Sequence, residues 1–175
     1  GGTPPRLDLP EIAFAGRSNV GKSSLINRLA HCRALARTSR TPGRTQQVNF
    51  FAGRDEIVFA DLPGYGFARV PASVREAWKK LIEGYLESRE ELRGVVVIVD
   101  ARRGLEPDDE SLLEYLDALG HPAVVVASKV DKLGQGERQR AMIALRQRRP
   151  GAIAFSALSG EGETEVWRAL AGLAR

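Results

Sequence analysis

Short runs of consecutive apolar residues alternate along the chain with segments whose apolar residues recur every three or four positions. Ile12–Ala15, Gln47–Phe51, Glu56–Ala60, Gly94–Asp100, Ala123–Ser128 and a weaker Ala152–Phe155 read as strands. The runs at 94–100 and 123–128 are continuous and β-branched, as in strands covered on both faces. Ala52-Gly53-Arg54-Asp55 is a turn of hairpin length, so one of the two strands it joins is expected to run antiparallel. Helical patterns lie between the strands. Ser24–Ala30 is the first. The next opens on a capping box, Ser73-Val74-Arg75-Glu76, with Val74, Trp78, Leu81 and Tyr85 as its apolar stripe. Pro107-Asp108-Asp109 opens another, with Leu112, Leu113, Leu116 and Leu119 inward and Gly120 as its stop. Gly136–Arg148 and Glu161–Leu173 complete the set. Trp78, Tyr85 and Trp167 sit beside leucines at helical spacing and read as core rather than as ligand-stacking groups. The alternation predicts an α/β fold with a largely parallel sheet. With no repeat, low-complexity tract or linker, the expectation is a flexible segment over residues 1–10 and a single domain over 11–175.

Composition narrows the class. The chain has 175 residues, 43% hydrophobic and 27% charged, as expected of a globular protein with a proper core. Its longest apolar run, Gly94–Val99, is far too short to cross a membrane, and there is no signal-peptide pattern. One cysteine, Cys32, excludes an internal disulfide and fits a reducing cytoplasm. Flanked by His31 and Arg33 in a helical stretch, it reads as a small packed hydrophobe.

Charge is uneven. Residues 12–54 carry eight bases (Arg17, Lys22, Arg28, Arg33, Arg37, Arg40, Arg44, Arg54) and no acid, although the whole chain is only +4. This is either a footprint for phosphate, as nucleotide or nucleic acid, or an arginine-rich solvated face. The polar stretch Leu35–Gln46, with Pro42 and Gly43, is long for a connection and therefore functional or disordered.

The chemistry begins at Gly16-Arg17-Ser18-Asn19-Val20-Gly21-Lys22-Ser23, followed by Ser24. This is a complete phosphate-binding loop between a strand and a helix, the context the motif requires. Its backbone N–H groups can wrap a polyphosphate, Lys22 can reach the β- and γ-phosphates, and the Ser23 hydroxyl can bind Mg²⁺. The helix N-terminus behind it adds partial positive charge. Alone, the loop does not separate ATPases, GTPases and kinases. Asp61-Leu62-Pro63-Gly64 closes a strand about forty residues on, with a carboxylate for Mg²⁺ through water and a Gly64 N–H for a γ-phosphate. Ser128-Lys129-Val130-Asp131 closes another. The Asp131 carboxylate can accept two hydrogen bonds from guanine that adenine cannot offer, and the Lys129 stem can lie along the base. Phe155-Ser156-Ala157 can offer a backbone N–H to guanine O6. In Thr41-Pro42-Gly43-Arg44-Thr45 there is a hydroxyl to complete the Mg²⁺ shell. A kinase is disfavoured, because no basic lid or acceptor domain is evident.

These strings, with Ala36–Gln46, Asn49-Phe50-Phe51 and Asp61-Leu62-Pro63-Gly64-Tyr65-Gly66, resemble the translation-factor-related GTPases. They are most similar to the EngB (YihA/YsxC) ribosome-biogenesis GTP-binding subfamily of the TrmE-Era-EngA-EngB-septin-like class. The resemblance spans nearly the whole chain. It implies a three-layer P-loop GTPase (G) domain with a mostly parallel six-stranded sheet, one antiparallel edge strand and helices on both faces. It further implies GTP and GDP as ligands, held by Gly16–Ser24, Gly43, Arg44, Thr45, Gln46, Gln47, Asp61–Gly64, Ser128–Asp131 and Phe155–Ala157. Mg²⁺ would be held by Ser23, Thr45 and, through water, Asp61. Lys22, Asn19, Thr45 and Gly64 would be the catalytic set. Switch I would span 35–46 and switch II Gly64 to about Ser73. The implied role is a cytoplasmic, monomeric switch in large (50S) ribosomal subunit assembly, needed for division and septation. Its partners would be the subunit precursor and rRNA, with no membrane.

Two residues depart from or extend that pattern. Ser128 stands where Asn or Thr is usual, though its hydroxyl can still tie this loop to the phosphate loop. Tyr65 stands where small signalling GTPases place a water-orienting Gln, so intrinsic hydrolysis is expected to be slow. Tyr65 itself reads as a packing or RNA-contact residue. Asn19 either helps bind K⁺ between the β- and γ-phosphates or simply shapes the loop. A non-hydrolysing, nucleotide-stabilised rRNA scaffold is the alternative to a hydrolysing switch.

Overall fold

The computed structural model describes residues 8–30, 48–54, 56–66 and 71–175. Six strands form one sheet: β1 (Glu11–Gly16), β2 (Asn49–Ala52), β3 (Val58–Asp61), β4 (Leu92–Asp100), β5 (Ala123–Ser128) and β6 (Ile153–Ala154), in the order β2-β3-β1-β4-β5-β6. All neighbours pair in parallel except β2 and β3, whose antiparallel ladder sets Asn49 opposite Asp61. Among the helices are α1 (Lys22–Ala30), α2 (Ala72–Ser88), α3 (Pro107–Leu119), α4 (Gln135–Arg148) and α5 (Glu163–Ala174).

Because successive strand residues point to opposite faces, the continuous apolar runs feed two cores. Ala13, Ala15, Val95, Val97, Val99 and Val125 join residues of α2, α3 and α4 on one face. Ile12, Phe14, Val96, Ile98 and Val126 join residues of α1 and α5 on the other. The result is the largely parallel α/β sheet that the alternation predicts, in the three layers and with the antiparallel edge strand that the resemblance implies.

Several boundaries move. The second strand is Asn49–Ala52 rather than Gln47–Phe51, and Gln47 lies outside the described residues. The third starts at Val58, because Glu56 takes a left-handed turn conformation at φ 60°. It runs through Asp61, which is therefore the strand's last residue. The last strand shortens to Ile153–Ala154, although the Phe155 N–H still bonds the Ala127 carbonyl at 2.8 Å. The Ser73–Glu76 capping box does not form. Pro71 stands at the N-cap position, with its carbonyl accepting from Val74 and Arg75, so Ser73 falls inside the first turn. The true capping box is at α3, where Glu106 and Asp109 bond each other's backbone N–H, and Gly120 ends that helix in a left-handed conformation. Leu113 and Leu116 are buried there, but Leu119 is exposed at the last turn. Trp78 and Tyr85 are buried and Trp167 packs on the second core, as their spacing suggests.

Candidate functional site

The phosphate loop leaves the end of β1, a strand flanked by β3 and β4. Loops at the carboxyl ends of β1, β3, β5 and β6 therefore converge, the position at which open parallel sheets bind ligands. The loop turns through left-handed Asn19 (φ 66°) and Gly21 (φ 99°). α1 then begins at Lys22, and the Gly21 carbonyl accepts the first helical hydrogen bond, from Leu25, at 2.9 Å. The N-terminus of α1 has no acid in its first turn, which leaves its dipole free for an anion.

Lys22 lies against the end of β3. Its ammonium pairs with the Asp61 carboxylate and donates to the Leu62 carbonyl at 2.5 Å. Both side chains are nearly buried, so the phosphate loop and the Asp61–Gly64 turn are joined by a desolvated ion pair. The backbone joins them a second time. The Tyr65 N–H bonds the Gly16 carbonyl at 3.2 Å, and the Ser18 N–H bonds the Tyr65 carbonyl at 2.9 Å. Gly64 consequently lies against Ser18, and a Cβ there would stand 3.3 Å from the Ser18 hydroxyl oxygen.

The β5 loop closes the other side. The Ser128 hydroxyl lies within donating reach of the Val20 carbonyl and of the Val99 carbonyl, the latter at 3.1 Å. A single serine hydroxyl thus ties the loop after β5 to the phosphate loop. Lys129, held left-handed at φ 61°, donates to the Asn19 carbonyl at 2.6 Å. Asp131 accepts from the Ser156 hydroxyl at 2.8 Å, which braces it against the loop after β6. The Val130 N–H bonds the Phe155 carbonyl at 3.3 Å. Gly16–Ser24, Asp61–Gly64, Ser128–Asp131 and Phe155–Ala157 are all brought together. Gly43, Arg44, Thr45, Gln46 and Gln47 lie outside the described residues, as do Cys32, all of switch I and part of switch II.

The left-handed backbone of Asn19 gives it a loop-shaping part, since Asn tolerates that conformation better than most residues. For Mg²⁺, Asp61 and Ser23 supply hard oxygens. Among the described residues, no group of three or more His, Cys, Asp or Glu side chains is arranged to hold a metal ion. This sparse oxygen set suits Mg²⁺ bound largely through phosphates and water.

Three features have no counterpart in the linear motifs. Asp100, at the end of β4, accepts from the Arg102 backbone at 2.9 Å and from its guanidinium at 2.7 and 3.0 Å, with Lys129 at 3.8 Å. Burial works to raise its pKa, but the Arg102 bonds outweigh it and hold the carboxyl below the usual range. Arg28 of α1 pairs with Glu163 at 2.9 Å and reaches the Ala157 carbonyl at 3.4 Å, fastening the helix after the phosphate loop to the loop after β6. Tyr65 donates to Asp109 at 2.7 Å. The first had a signal in the sequence, an Arg two residues past a strand-ending Asp. The others join positions too far apart to be seen there.

The family model described as 50S ribosome-binding GTPase matches residues 11–129. A probable GTP-binding protein EngB from Solibacter usitatus is 54% identical over 166 residues, covering 95% of this chain and 87% of that protein. Another, from an Exiguobacterium species, is 46% identical over 174 residues, covering 97% and 88%. The chain belongs to the EngB family of GTP-binding proteins. A crystal structure of a probable GTP-binding protein EngB superposes with a TM-score of 0.77 at 26% identity, covering 94% of this chain and 98% of that one. With this EngB fold and these EngB relatives, the chain is a GTP-hydrolysing enzyme. The non-hydrolysing and kinase alternatives give way to that reading. No helix among the described residues is long and apolar enough to cross a membrane.

Proposed function

We propose that the chain is a GTP-driven switch in assembly of the large ribosomal subunit, acting in the cytoplasm as a monomer and needed for division and septation. The description of its family, 50S ribosome binding, supports the partner. The observation that carries the switch is the stitching of Gly64–Tyr65 to Gly16–Ser18 beside Lys22. A γ-phosphate bound here gives the Gly64 N–H a partner next to the loop that holds the other phosphates. Hydrolysis removes that partner, so the following segment changes its preferred conformation. Thr45 makes the corresponding contact from switch I.

In this reading Gly16–Ser24 cradle the phosphates, Lys22 neutralises the β- and γ-oxygens, and Ser23, Thr45 and a water on Asp61 hold Mg²⁺. When bound, the metal spreads the negative charge that grows on the phosphate oxygens. Asp131 and the Ala157 N–H read guanine, and Ser128 and Lys129 hold that reader against the phosphate loop. Asn19 assists hydrolysis through K⁺. A partner that prefers the GTP-ordered switches, pre-ribosomal particle and rRNA together, is released after turnover.

Sedimenting the protein with purified large-subunit precursors tests this. Association under a non-hydrolysable GTP analogue should exceed that under GDP at least severalfold. Equal association in the two states would remove the switch. Turnover measured in KCl and in NaCl at equal ionic strength tests Asn19, and equal rates reject the K⁺ role.

A further inference from the structure

Where small signalling GTPases offer a glutamine amide after the glycine of switch II, this chain has Tyr65, and its hydroxyl is engaged. It donates to Asp109 Oδ1 at 2.7 Å, across 44 residues of sequence. Asp109 is 1% exposed, and its other oxygen accepts the Glu106 N–H at 2.9 Å, so one carboxylate both caps α3 and receives the tyrosine. Burial is the main cause that keeps the phenol protonated far above its ordinary range, with the Asp109 charge next. In this arrangement Tyr65 acts as a hydrogen-bond donor to Asp109.

Arg17 makes a second connection beside the first. Within the phosphate loop, its guanidinium pairs with Glu106 at 2.5 Å and Asp108 at 2.8 Å, and donates to the Gly66 carbonyl at 3.3 Å. The arginine lies flat against the Gly66 backbone, and a Cβ there would come within 2.6 Å of its Cζ. Gly66 also holds φ at 80°, a left-handed conformation that favours glycine, whereas the Arg17 end could shift to admit a Cβ. With three partners already, Arg17 is directed at α3 and switch II.

We propose that Tyr65 and Arg17 are positioning residues for GTP hydrolysis, clamping the Gly64–Gly66 peptide onto the phosphate loop through the acidic N-terminus of α3. Phosphoryl transfer depends on placement and electrostatics, and a displacement near 1 Å can cost about a hundredfold in rate. The Gly64 N–H belongs to the Pro63–Gly64 peptide, next to the Gly64–Tyr65 peptide whose own N–H bonds the Gly16 carbonyl. Its placement is therefore set by Tyr65 on one side and by the Ser18 contact on the other. A chain without the amide side chain places the backbone donor rigidly instead, using α3 as the anchor.

The test is single-turnover and steady-state GTPase kinetics on Tyr65→Phe, Asp109→Asn and the double variant, with GDP affinity measured alongside. Tyr65→Phe removes one hydroxyl and keeps the ring. It should lower kcat about five- to tenfold with KM and GDP affinity unchanged within about twofold, the pattern of an interaction that matters in the transition state. Asp109→Asn should lower kcat in the same direction, and the double variant should be no slower than the slower single, since both break one link. Arg17→Gln should lower kcat more than it weakens GDP binding. A Tyr65→Phe enzyme with wild-type kcat overturns the proposal, as do additive losses in the double variant or losses confined to KM. Wild-type turnover in the same assay reports separately on the enzyme itself. Should Tyr65→Phe fold poorly by circular dichroism, Asp109→Asn carries the same test from the far end of the link.

Discussion

Ser128 shows how little chemistry a loop tie requires. Its hydroxyl, 3% exposed, faces the Val20 and Val99 carbonyls, and no larger amide is needed to cover that distance. Ser128→Ala would strand a buried acceptor, at a cost of about 1–3 kcal/mol, and would free the base reader from the phosphate loop. GDP affinity measured by calorimetry should fall about tenfold, while Ser128→Thr should bind within about threefold of wild type. Asp100 works differently, by charge. A carboxyl held below its usual range stabilises the fold at pH values above the unfolded pKa, near 4. That stability is lost as pH falls through the depressed folded value. Asp100→Asn should therefore destabilise by about 1–2 kcal/mol at pH 7, from hydrogen bonds to a charged group. The gap to wild type should narrow in acid, as followed by urea unfolding at several pH values. A gap independent of pH would mean that Asp100 acts through packing alone.

The elements that carry the site were legible where the reason for them is local. A strand covered on both faces must be apolar throughout, and β4 and β5 announce themselves that way. The phosphate loop and the Asp61–Gly64 turn are equally plain, because close phosphate approach demands glycine at set spacings. The start of α2 departs from the capping-box pattern because Pro71 can occupy the N-cap position without a side-chain cap, and no local pattern reveals that it outcompetes Ser73. The start of α5 was misplaced because of a tertiary contact. Gly162 sits at φ 84°, and any Cβ on it would collide with the Ala154 carbonyl. The helix therefore begins at Glu163, and the same glycine turns the chain past the Phe155–Ala157 loop. Gly162→Ala should cost at least about 2 kcal/mol in chemical denaturation, from the left-handed backbone and the clash together. A loss below about 0.5 kcal/mol would show that this turn relaxes freely.

At the scale of the molecule, charge is the property that the sequence displayed and the structure reinterprets. Of the eight bases between residues 12 and 54, the described ones are largely engaged. Arg17 pairs with Glu106 and Asp108, Lys22 with Asp61 and Arg28 with Glu163, while Arg54 lies over the Trp167 ring at 5.5 Å. All three acidic partners of Arg17 and Arg28 come from beyond residue 100, so three of the four described bases in a stretch that looks uniformly basic in one dimension are paired with acids in three. At Arg17 and Arg28 the choice between a phosphate footprint and a solvated arginine face gives way to a third outcome, internal pairing. The sequence places the remaining four, Arg33, Arg37, Arg40 and Arg44, outside the described residues. If the ribosomal partner proposed above presents rRNA, these four are the bases of the segment whose contact with it is to be tested. Each phosphate neutralised releases counterions, so binding should fall linearly on a log–log plot against salt, by about 0.7 to 0.9 in slope per contact. Alanine at Arg33, Arg37 and Arg40 together should make that slope shallower by about 2, measured by sedimentation with large-subunit precursors under a GTP analogue. Arg44 is left intact because it adjoins Thr45. GTP affinity should stay close to wild type, which separates loss of the partner from loss of the nucleotide. An unchanged slope would move the nucleic-acid contact off this segment and onto other exposed bases such as Arg103, Lys132 and Arg140.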